Sequence, residues 1–206
     1  MHALRDSADY QVTALLTSVT SGYDRISIHG VRRALLERQV ERLDSPLFVV
    51  ELEPRSSNEA YEAAFRRTLN ELAARQPGVT RIAFGDLYLR EVRGYRDRLL
   101  GTTTFTGLYP LWDLPTRHLA ERFIDAGFQA TLVCTDNTQI DSTFAGRAFD
   151  RSLLADLPPV VDPCGENGEF HTFVHGGPIF HQPIAVLHGE TILREERFTY
   201  VDLLER

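Results

Sequence analysis

An alternation of short apolar runs with helical segments constrains the fold of this chain more than any other feature. Apolar runs typical of buried strands occupy residues 12–19, 46–53, 80–86, 105–112 and 128–135. Between them, apolar residues recur at helical spacing in residues 31–43, 58–76, 87–100 and 115–127. Ser57 or Asn58 stands where an N-cap belongs, and Gly127 where a helix stops. The alternation predicts a doubly wound, mostly parallel α/β sheet with right-handed crossovers.

The alternation of apolar runs with helical segments ends after residue 136. A loop is followed by a short predicted helix near 150–157 and by predicted strands near 170–175, 184–188 and 196–203. We therefore predict two domains, an α/β domain over residues 1–136 and a small C-terminal α+β extension over 137–206.

The composition excludes several classes of protein. A net charge of -7 without a basic block argues against a nucleic-acid partner. No apolar stretch approaches the roughly 20 residues that span a bilayer, and the first residues carry charges, so we expect a cytoplasmic protein without a membrane partner. All 22 basic residues are Arg, which excludes chemistry by a lysine of this sequence.

The stretch DPCGENGEFHTFVHGGPIF at residues 162–180 concentrates ionisable side chains beside four glycines. A metal site would use Cys164, His171 and His175, but a fourth ligand at usual zinc spacing is missing, so we predict none. Cys164 as a nucleophile is a second interpretation. In a third, Glu166 and Glu169 both project from a turn at Asn167-Gly168 and grip an amine or a Mg-bound phosphate. A β-hairpin at Asn-Gly is compatible with that site.

Ligands of open α/β sheets bind beyond the carboxyl ends of the strands, so residues that follow the apolar runs are candidates. They include Thr17 to Thr20, Gly85-Asp86, Tyr109 to Trp112 and Cys134 to Asp136. Gly85 would admit a ligand close to the backbone, and Asp86 could accept from a hydroxyl or hold a cation. The alternative for Gly-Asp is an ordinary turn and cap.

Two pairs of arginines, one near His29 and one in the predicted helix at 87–100, can each be interpreted either as an anion site or as ordinary surface side chains. His29 is predicted at a helix entry with Arg32 and Arg33 in its first turn, where positive charge opposes the helix dipole. An anionic ligand would explain them, as would solvent exposure or a pair with Glu37. Further along, Arg93 and Arg96 fit either a phosphate clamp or a solvated helix face.

Several segments together resemble the diphthine-ammonia ligase family of N-type ATP pyrophosphatases. They are SIHGVRR, FGDLYLREVRGYRDRLL, YPLW, CTDNTQIDSTFAGRAFD and PCGENGEFHTFV with the following GPIF, in order from about residue 12 to 180. The resemblance implies a Rossmann-like adenine nucleotide alpha-hydrolase fold that uses ATP and Mg. It implies adenylation of a carboxylate with loss of pyrophosphate, followed by displacement of AMP by ammonia. The acceptor would be diphthine on elongation factor 2 or an unknown small molecule.

The resemblance also assigns roles to residues of this chain. The implied catalytic residues are Glu166, Asn167 and Glu169. The implied nucleotide-binding residues are His29, Arg32, Gly85 and Asp86, and the implied substrate-binding residues are Arg93, Tyr95, Gly168 and His171.

One departure from the family is large. The family's opening strand and Ser-Gly-Gly-Lys-Asp-Ser loop are absent from this sequence. We expect Met1 to be an internal methionine, residues 1–12 to continue the helix after that loop, and ligase activity of this chain to be impaired. Exposed sheet edges would favour a homo-oligomer. The alternatives are a non-catalytic AMP- or acceptor-binding module that works with a complete paralogue, and a hydrolase that uses Cys164.

Overall fold

The computed structural model describes residues 1–5 and 7–206 and divides the chain into two compact units. Unit 1 comprises Met1–Asp24 and Ser45–Leu114, and unit 2 comprises Arg25–Asp44 and Pro115–Arg206. The predicted domain boundary at residue 136 stays a prediction; residues 115–136 group with unit 2 because their strand pairs with later strands.

Apart from the consecutive strands at Leu15–Thr20 and Arg25–Ile26, helices and strands alternate along the chain until the last three strands. In chain order they are α1 (His2–Arg5), β1 (Leu15–Thr20), β2 (Arg25–Ile26), α2 (Arg33–Leu43), β3 (Leu47–Leu52), α3 (Asn58–Arg75), β4 (Arg81–Ala83), α4 (Arg90–Leu100), β5 (Thr106–Leu108), α5 (Thr116–Asp125), β6 (Gln129–Asp136), α6 (Arg151–Asp156), β7 (Phe170–Gly176), β8 (Val186–Arg194) and β9 (Phe198–Glu205). A short 3-10 helix covers Ser142–Phe144. Within the described residues, no helix is long and apolar enough to cross a membrane.

Unit 1 carries the parallel pairing that the alternation predicts. β1 pairs with β3 and β4 pairs with β5, both in parallel. The helix α3 presents Phe65, Leu69 and Leu72 at helical spacing to the core of this unit. Its predicted N-cap is confirmed, because the hydroxyl of Ser57 accepts from the amide of Ala60 at 3.3 Å.

Unit 2 contains a four-stranded sheet in the order β7-β6-β9-β8. The run at 128–135, predicted as a parallel strand, forms β6, which instead pairs antiparallel with β7 and with β9. The prediction failed because both faces of β6 are covered: Leu132 belongs to a cluster with Leu153 and Phe170, and its neighbour Val133 to a cluster with Phe173. A continuous apolar run indicates burial on both faces but does not specify strand direction.

The structure therefore confirms a mixed α/β protein with parallel strand pairs and helices. The adenine nucleotide alpha-hydrolase architecture stays a prediction. The helix predicted to run through residues 1–12 is short, since α1 covers His2–Arg5 and residues 7–14 are not helical. Asp6, which that prediction includes, lies outside the described residues.

Candidate functional site

The segment 162–169, here called the acidic loop, links α6 to β7 in unit 2 through two consecutive turns. The amide of Gly165 donates to the carbonyl of Asp162 at 2.9 Å, and that of Gly168 to the carbonyl of Gly165 at 3.0 Å. Gly165 has φ +69°, and a Cβ there would lie 2.7 Å from the carbonyl oxygen of Phe170. Only glycine fits this position. Because no strand precedes the turn, the Asn-Gly hairpin is not formed.

Glu169 lies inside the acidic loop and holds it closed. Its side chain is buried, with 2% of the residue surface exposed. Oε1 accepts from the amide of Asp162 and from Nδ2 of Asn167, both at 2.9 Å, and Oε2 accepts from the amide of Asn167 at 3.0 Å. The expectation that both carboxylates project from the turn is therefore wrong for Glu169, because its oxygens satisfy buried donors of the loop. Glu166 is half-buried.

Asp162 gives the loop a second internal acceptor, which the sequence reasoning missed. Its Oδ1 accepts from the amide of Cys164 at 2.8 Å and from the amide of Glu166 at 3.3 Å. An Asp before Pro and a Gly-rich stretch is typical of such an Asx turn and was the available signal. Two carboxylates thus fix the backbone from which Glu166 and Asn167 extend.

Cys164 is a poor nucleophile in this environment. Its Sγ donates to the carbonyl of Thr116 at 3.3 Å. Burial, together with the charges of Asp162 and Glu166, raises the pKa of the thiol to about 12. The side chain is therefore a protonated thiol at neutral pH, whereas the thiolate is the reactive form.

His29 and His171, predicted for nucleotide and substrate respectively, lie together in unit 2. Their ring centroids are 4.6 Å apart. Burial, with the neighbouring imidazole, lowers the pKa of His171 to about 4. Burial also lowers the pKa of His29, partly offset by its contact with the carbonyl of Thr172 at 3.4 Å. Both rings are therefore neutral at neutral pH.

The segment around His29 lies against β9 and precedes the helix rather than entering it, since α2 begins at Arg33. Gly30 has φ +70°, and a Cβ there would meet the ring of Tyr200 at 2.7 Å. This close approach explains the glycine that follows His29.

The guanidinium of Arg32 forms an ion pair with a carboxylate of unit 2. Its Nε and Nη2 donate to the carboxylate of Asp202 at 3.0 Å and 2.5 Å, and Nη1 of Arg25 donates to the same group at 2.8 Å. Arg33 pairs with Glu37 at 3.3 Å, as the simpler alternative predicts. Asp202, some 170 positions away, was missed because nothing local in the sequence links it to Arg32.

Asp136 ends β6 as a buried anion with 2% of its surface exposed. Nε and Nη2 of Arg197 donate to its carboxylate at 2.9 Å and 2.5 Å, and Thr138 and Gln139 donate to it as well. The hydrogen bonds from Arg197 hold the pKa of Asp136 well below its ordinary value. This strand-end candidate therefore organises the following turn.

In unit 1, Asp86 and Arg96 form a bidentate ion pair at the carboxyl end of β4. Nε of Arg96 donates to Oδ2 at 2.6 Å and Nη2 to Oδ1 at 3.2 Å. Gly85 beside them has open space where a Cβ would stand. Tyr95 packs against the core of unit 1.

Arg93 lies between aromatic rings that follow β5. Its guanidinium carbon is 4.5 Å from the ring centroid of Tyr109 and 4.6 Å from that of Trp112. The hydroxyl of Tyr109 donates to Asp97 at 2.8 Å. Cation–π stacking holds Arg93 in place, and its Nε lies 3.8 Å from Asp97. A phosphate clamp at Arg93 and Arg96 stays a prediction.

Two of the predicted nucleotide residues are engaged with protein side chains, and their role in nucleotide binding stays a prediction. The carboxylate of Asp86 is engaged by Arg96 and the guanidinium of Arg32 by Asp202. In the part of the chain that the structure describes, no cluster of three or more His, Cys, Asp or Glu could hold a metal ion. These contacts therefore do not identify a binding site for ATP or for Mg.

The comparison with protein families supplies the decisive observation for unit 2. The family model described as the diphthamide synthase C-terminal domain matches residues 115–203. Residues 115–203 are thus similar to a diphthamide synthase C-terminal domain. The matched segment runs from α5 into β9 and contains the acidic loop, His171 and Asp202. The match confirms the resemblance to the diphthine-ammonia ligase family, and the comparison with curated proteins gives no match.

Proposed function

We propose that this protein acts in ATP-dependent amide formation of the diphthine-ammonia ligase type, with the acidic loop as its acceptor or ammonia site. The observation that carries the proposal is the loop closed by Glu169 through three hydrogen bonds, inside the segment that is similar to the diphthamide synthase C-terminal domain. A buried carboxylate that accepts only from its own loop fixes the geometry of neighbouring side chains.

Within this proposal Glu169 is a positioning residue and Glu166 is the acid–base group. Attack of ammonia on an activated carboxylate forms the C–N bond, expels the leaving group and releases a proton from nitrogen. Glu166 extends half-buried from the loop and accepts that proton. ATP, with Mg, supplies the activation of the carboxylate when bound.

The proposal is tested by incubating the protein with ATP, Mg, ammonium and a candidate acceptor. The acceptors are elongation factor 2 carrying diphthine and a panel of small carboxylic acids, with AMP, pyrophosphate and amide product measured. Glu166→Gln should lower the rate by about 100-fold, the low end for loss of a general base. Glu190→Gln, an exposed carboxylate on β8 of the same unit, is the matched control and should keep the wild-type rate. A wild-type rate in Glu166→Gln would refute the role of the loop.

A second candidate is a non-catalytic module that binds AMP or the acceptor and works with a complete paralogue. The contacts of two predicted nucleotide residues favour it, because Asp86 is engaged by Arg96 and Arg32 by Asp202. Equilibrium dialysis with AMP and with the acceptor tests it. Binding without turnover, together with turnover restored by the paralogue, supports the module; turnover by this protein alone contradicts it.

A further inference from the structure

The second turn of the acidic loop contains Asn167 followed by Gly168, the one Asn-Gly pair of the sequence. Asparagine is among the thermolabile residues of proteins. Its side-chain carbonyl carbon, Cγ, lies within reach of the next backbone nitrogen, which can attack it and close a five-membered ring. A glycine in the next position removes the Cβ that would hinder this attack. The pair therefore marks a candidate site of covalent modification.

The reaction open to this pair is deamidation. The backbone nitrogen of Gly168 loses its proton to solvent and attacks Cγ of Asn167, so that a new C–N bond forms. The bond between Cγ and Nδ2 then breaks, and the departing nitrogen takes up a proton and leaves as ammonia. Water opens the cyclic imide at either carbonyl carbon and leaves aspartate or isoaspartate at position 167. Asn167 is exposed, so solvent supplies this water.

In the closed loop, hydrogen bonds hold both the attacking group and the leaving group. The amide of Gly168 donates to the carbonyl of Gly165 at 3.0 Å, so the nitrogen that must attack shares its proton with that oxygen. Nδ2 of Asn167, which must leave, donates to Oε1 of Glu169 at 2.9 Å. The backbone amide of Asn167 donates to Oε2 of the same carboxylate at 3.0 Å. Ring closure therefore requires that the loop opens first.

The negative charge of Glu169 opposes the reaction as well. Attack requires a deprotonated backbone nitrogen at Gly168 and places negative charge on the side-chain oxygen of Asn167. The carboxylate of Glu169 is buried and in direct contact with Asn167. A nearby carboxylate disfavours the formation of further anions. Glu169 therefore slows the reaction both by its hydrogen bonds and by its charge.

The product of deamidation is not compatible with the closed loop. Aspartate at position 167 replaces the NH2 donor, now 2.9 Å from Oε1 of Glu169, by a carboxylate oxygen, and like charges this close repel each other. Isoaspartate also inserts a methylene group into the backbone, which displaces Gly168 from the carbonyl of Gly165. Because the lost ammonia is not replaced, the change is permanent.

We propose that Asn167 is a site of spontaneous deamidation, that Glu169 holds the reaction back while the acidic loop is closed, and that the reaction opens the loop permanently. The site requires the loop and water and no other reactant. It therefore does not depend on the proposed function, and a protein without ligase activity would carry it equally.

Peptide mapping by mass spectrometry tests the site in the whole protein. The protein is incubated in mildly alkaline buffer, either folded or unfolded in guanidinium chloride, and is then digested with trypsin. Cleavage after arginine releases residues 152–194 as one peptide, in which Asn167 is the one asparagine. The measured quantities are the mass gained when OH replaces NH2 and the isoaspartate formed.

The unfolded protein should deamidate at Asn167, and faster there than at Asn70, which is followed by glutamate. The folded wild type should react at Asn167 at least about ten-fold more slowly than the unfolded protein, because the reaction then waits for the loop to open.

Variants separate the guard from the reacting residue. Glu169→Gln, in the folded state, should deamidate at least about ten-fold faster than the wild type, since it weakens the loop and removes the charge. If it fails to fold, Glu169→Asp, which withdraws the carboxylate by one methylene, takes its place. Glu190→Gln, an exposed carboxylate on β8, is the control and should match the wild type. Asn167→Asp, which mimics the product, should melt below the wild type and exchange the amide hydrogen of Gly168 faster.

Each part of the proposal has a result that overturns it. The site is refuted if the unfolded chain leaves Asn167 intact, or reacts there no faster than at Asn70. Equal rates in the folded and unfolded wild type, or a wild-type rate in the folded Glu169 variant, would overturn the protective role of Glu169. An Asn167→Asp protein that melts and exchanges as the wild type does would overturn the permanent opening of the loop.

Discussion

Replacement of Glu169 by Gln tests whether this carboxylate positions the acidic loop or reacts with substrate. The side chain is buried and accepts three hydrogen bonds, two of them at Oε1. In the best orientation Gln keeps its oxygen at the Oε1 position and directs its NH2 group at the amide of Asn167. One charge-assisted bond is then lost and two donors face each other, which costs about 1.5–3 kcal/mol.

Glu169→Ala removes all three contacts that donors of Asp162 and Asn167 make with this carboxylate. We expect it to cost about 3–5 kcal/mol, a large share of the 5–15 kcal/mol that stabilises a typical domain. Glu166→Gln changes the half-buried carboxylate of the same loop and should cost less than about 1 kcal/mol.

Urea unfolding measures the global cost, and hydrogen exchange of the amides of Asp162 and Asn167 measures the local one. Both amides should exchange faster in Glu169→Gln than in Glu166→Gln or the wild type. If Glu169→Gln unfolds and exchanges as the wild type does but loses ligase activity, Glu169 acts on the substrate and the positioning argument is wrong.

Two further predictions concern the same unit. The pKa of His171 is lowered to about 4 in the folded protein, whereas the unfolded chain takes up a proton at this imidazole as the pH falls below about 6.5. The contribution of His171 to the free energy of unfolding is therefore fully present above pH 6.5. Between pH 6.5 and 4 the free energy of unfolding falls by up to about 3 kcal/mol. His171→Gln should flatten this part of the pH dependence of urea unfolding, and an unchanged slope would contradict the assignment. Gly165→Ala should lower the free energy of unfolding by more than about 2 kcal/mol, because the added Cβ clashes with the Phe170 carbonyl and the backbone there is left-handed. Gly168→Ala has the left-handed backbone, at φ +82°, but open space around the Cβ, and should lower it by about 1 kcal/mol. Thermal unfolding compares the two variants, and equal losses would refute the clash.

Much of the local structure follows from periodicity and caps in the sequence. The predicted helix at 58–76 corresponds to α3, with Ser57 as its cap, because helical spacing and capping are local properties of a few adjacent residues. The strand at 46–53 corresponds to β3 for the same reason. The motif around Glu166 and Asn167 also pointed from the sequence to the domain that the family match supports.

The partners of the candidate residues were decided by tertiary structure. Sequence spacing gave no sign that Asp202 would pair with Arg32 or that His29 would lie against His171, because these contacts join distant segments of the chain. The inward orientation of Glu169 likewise depends on donors that only the folded loop brings together.

The sequence by itself determined where most of the helices and strands form, which runs are buried, and which loop concentrates the acidic chemistry. Only the tertiary structure decided that β6 runs antiparallel to β7 and β9, and that Glu169 is a buried acceptor rather than an exposed one. The physical reason is the range of the interactions: periodicity and caps act over a few residues, while strand pairing and the satisfaction of buried polar groups depend on segments that meet only in the folded protein.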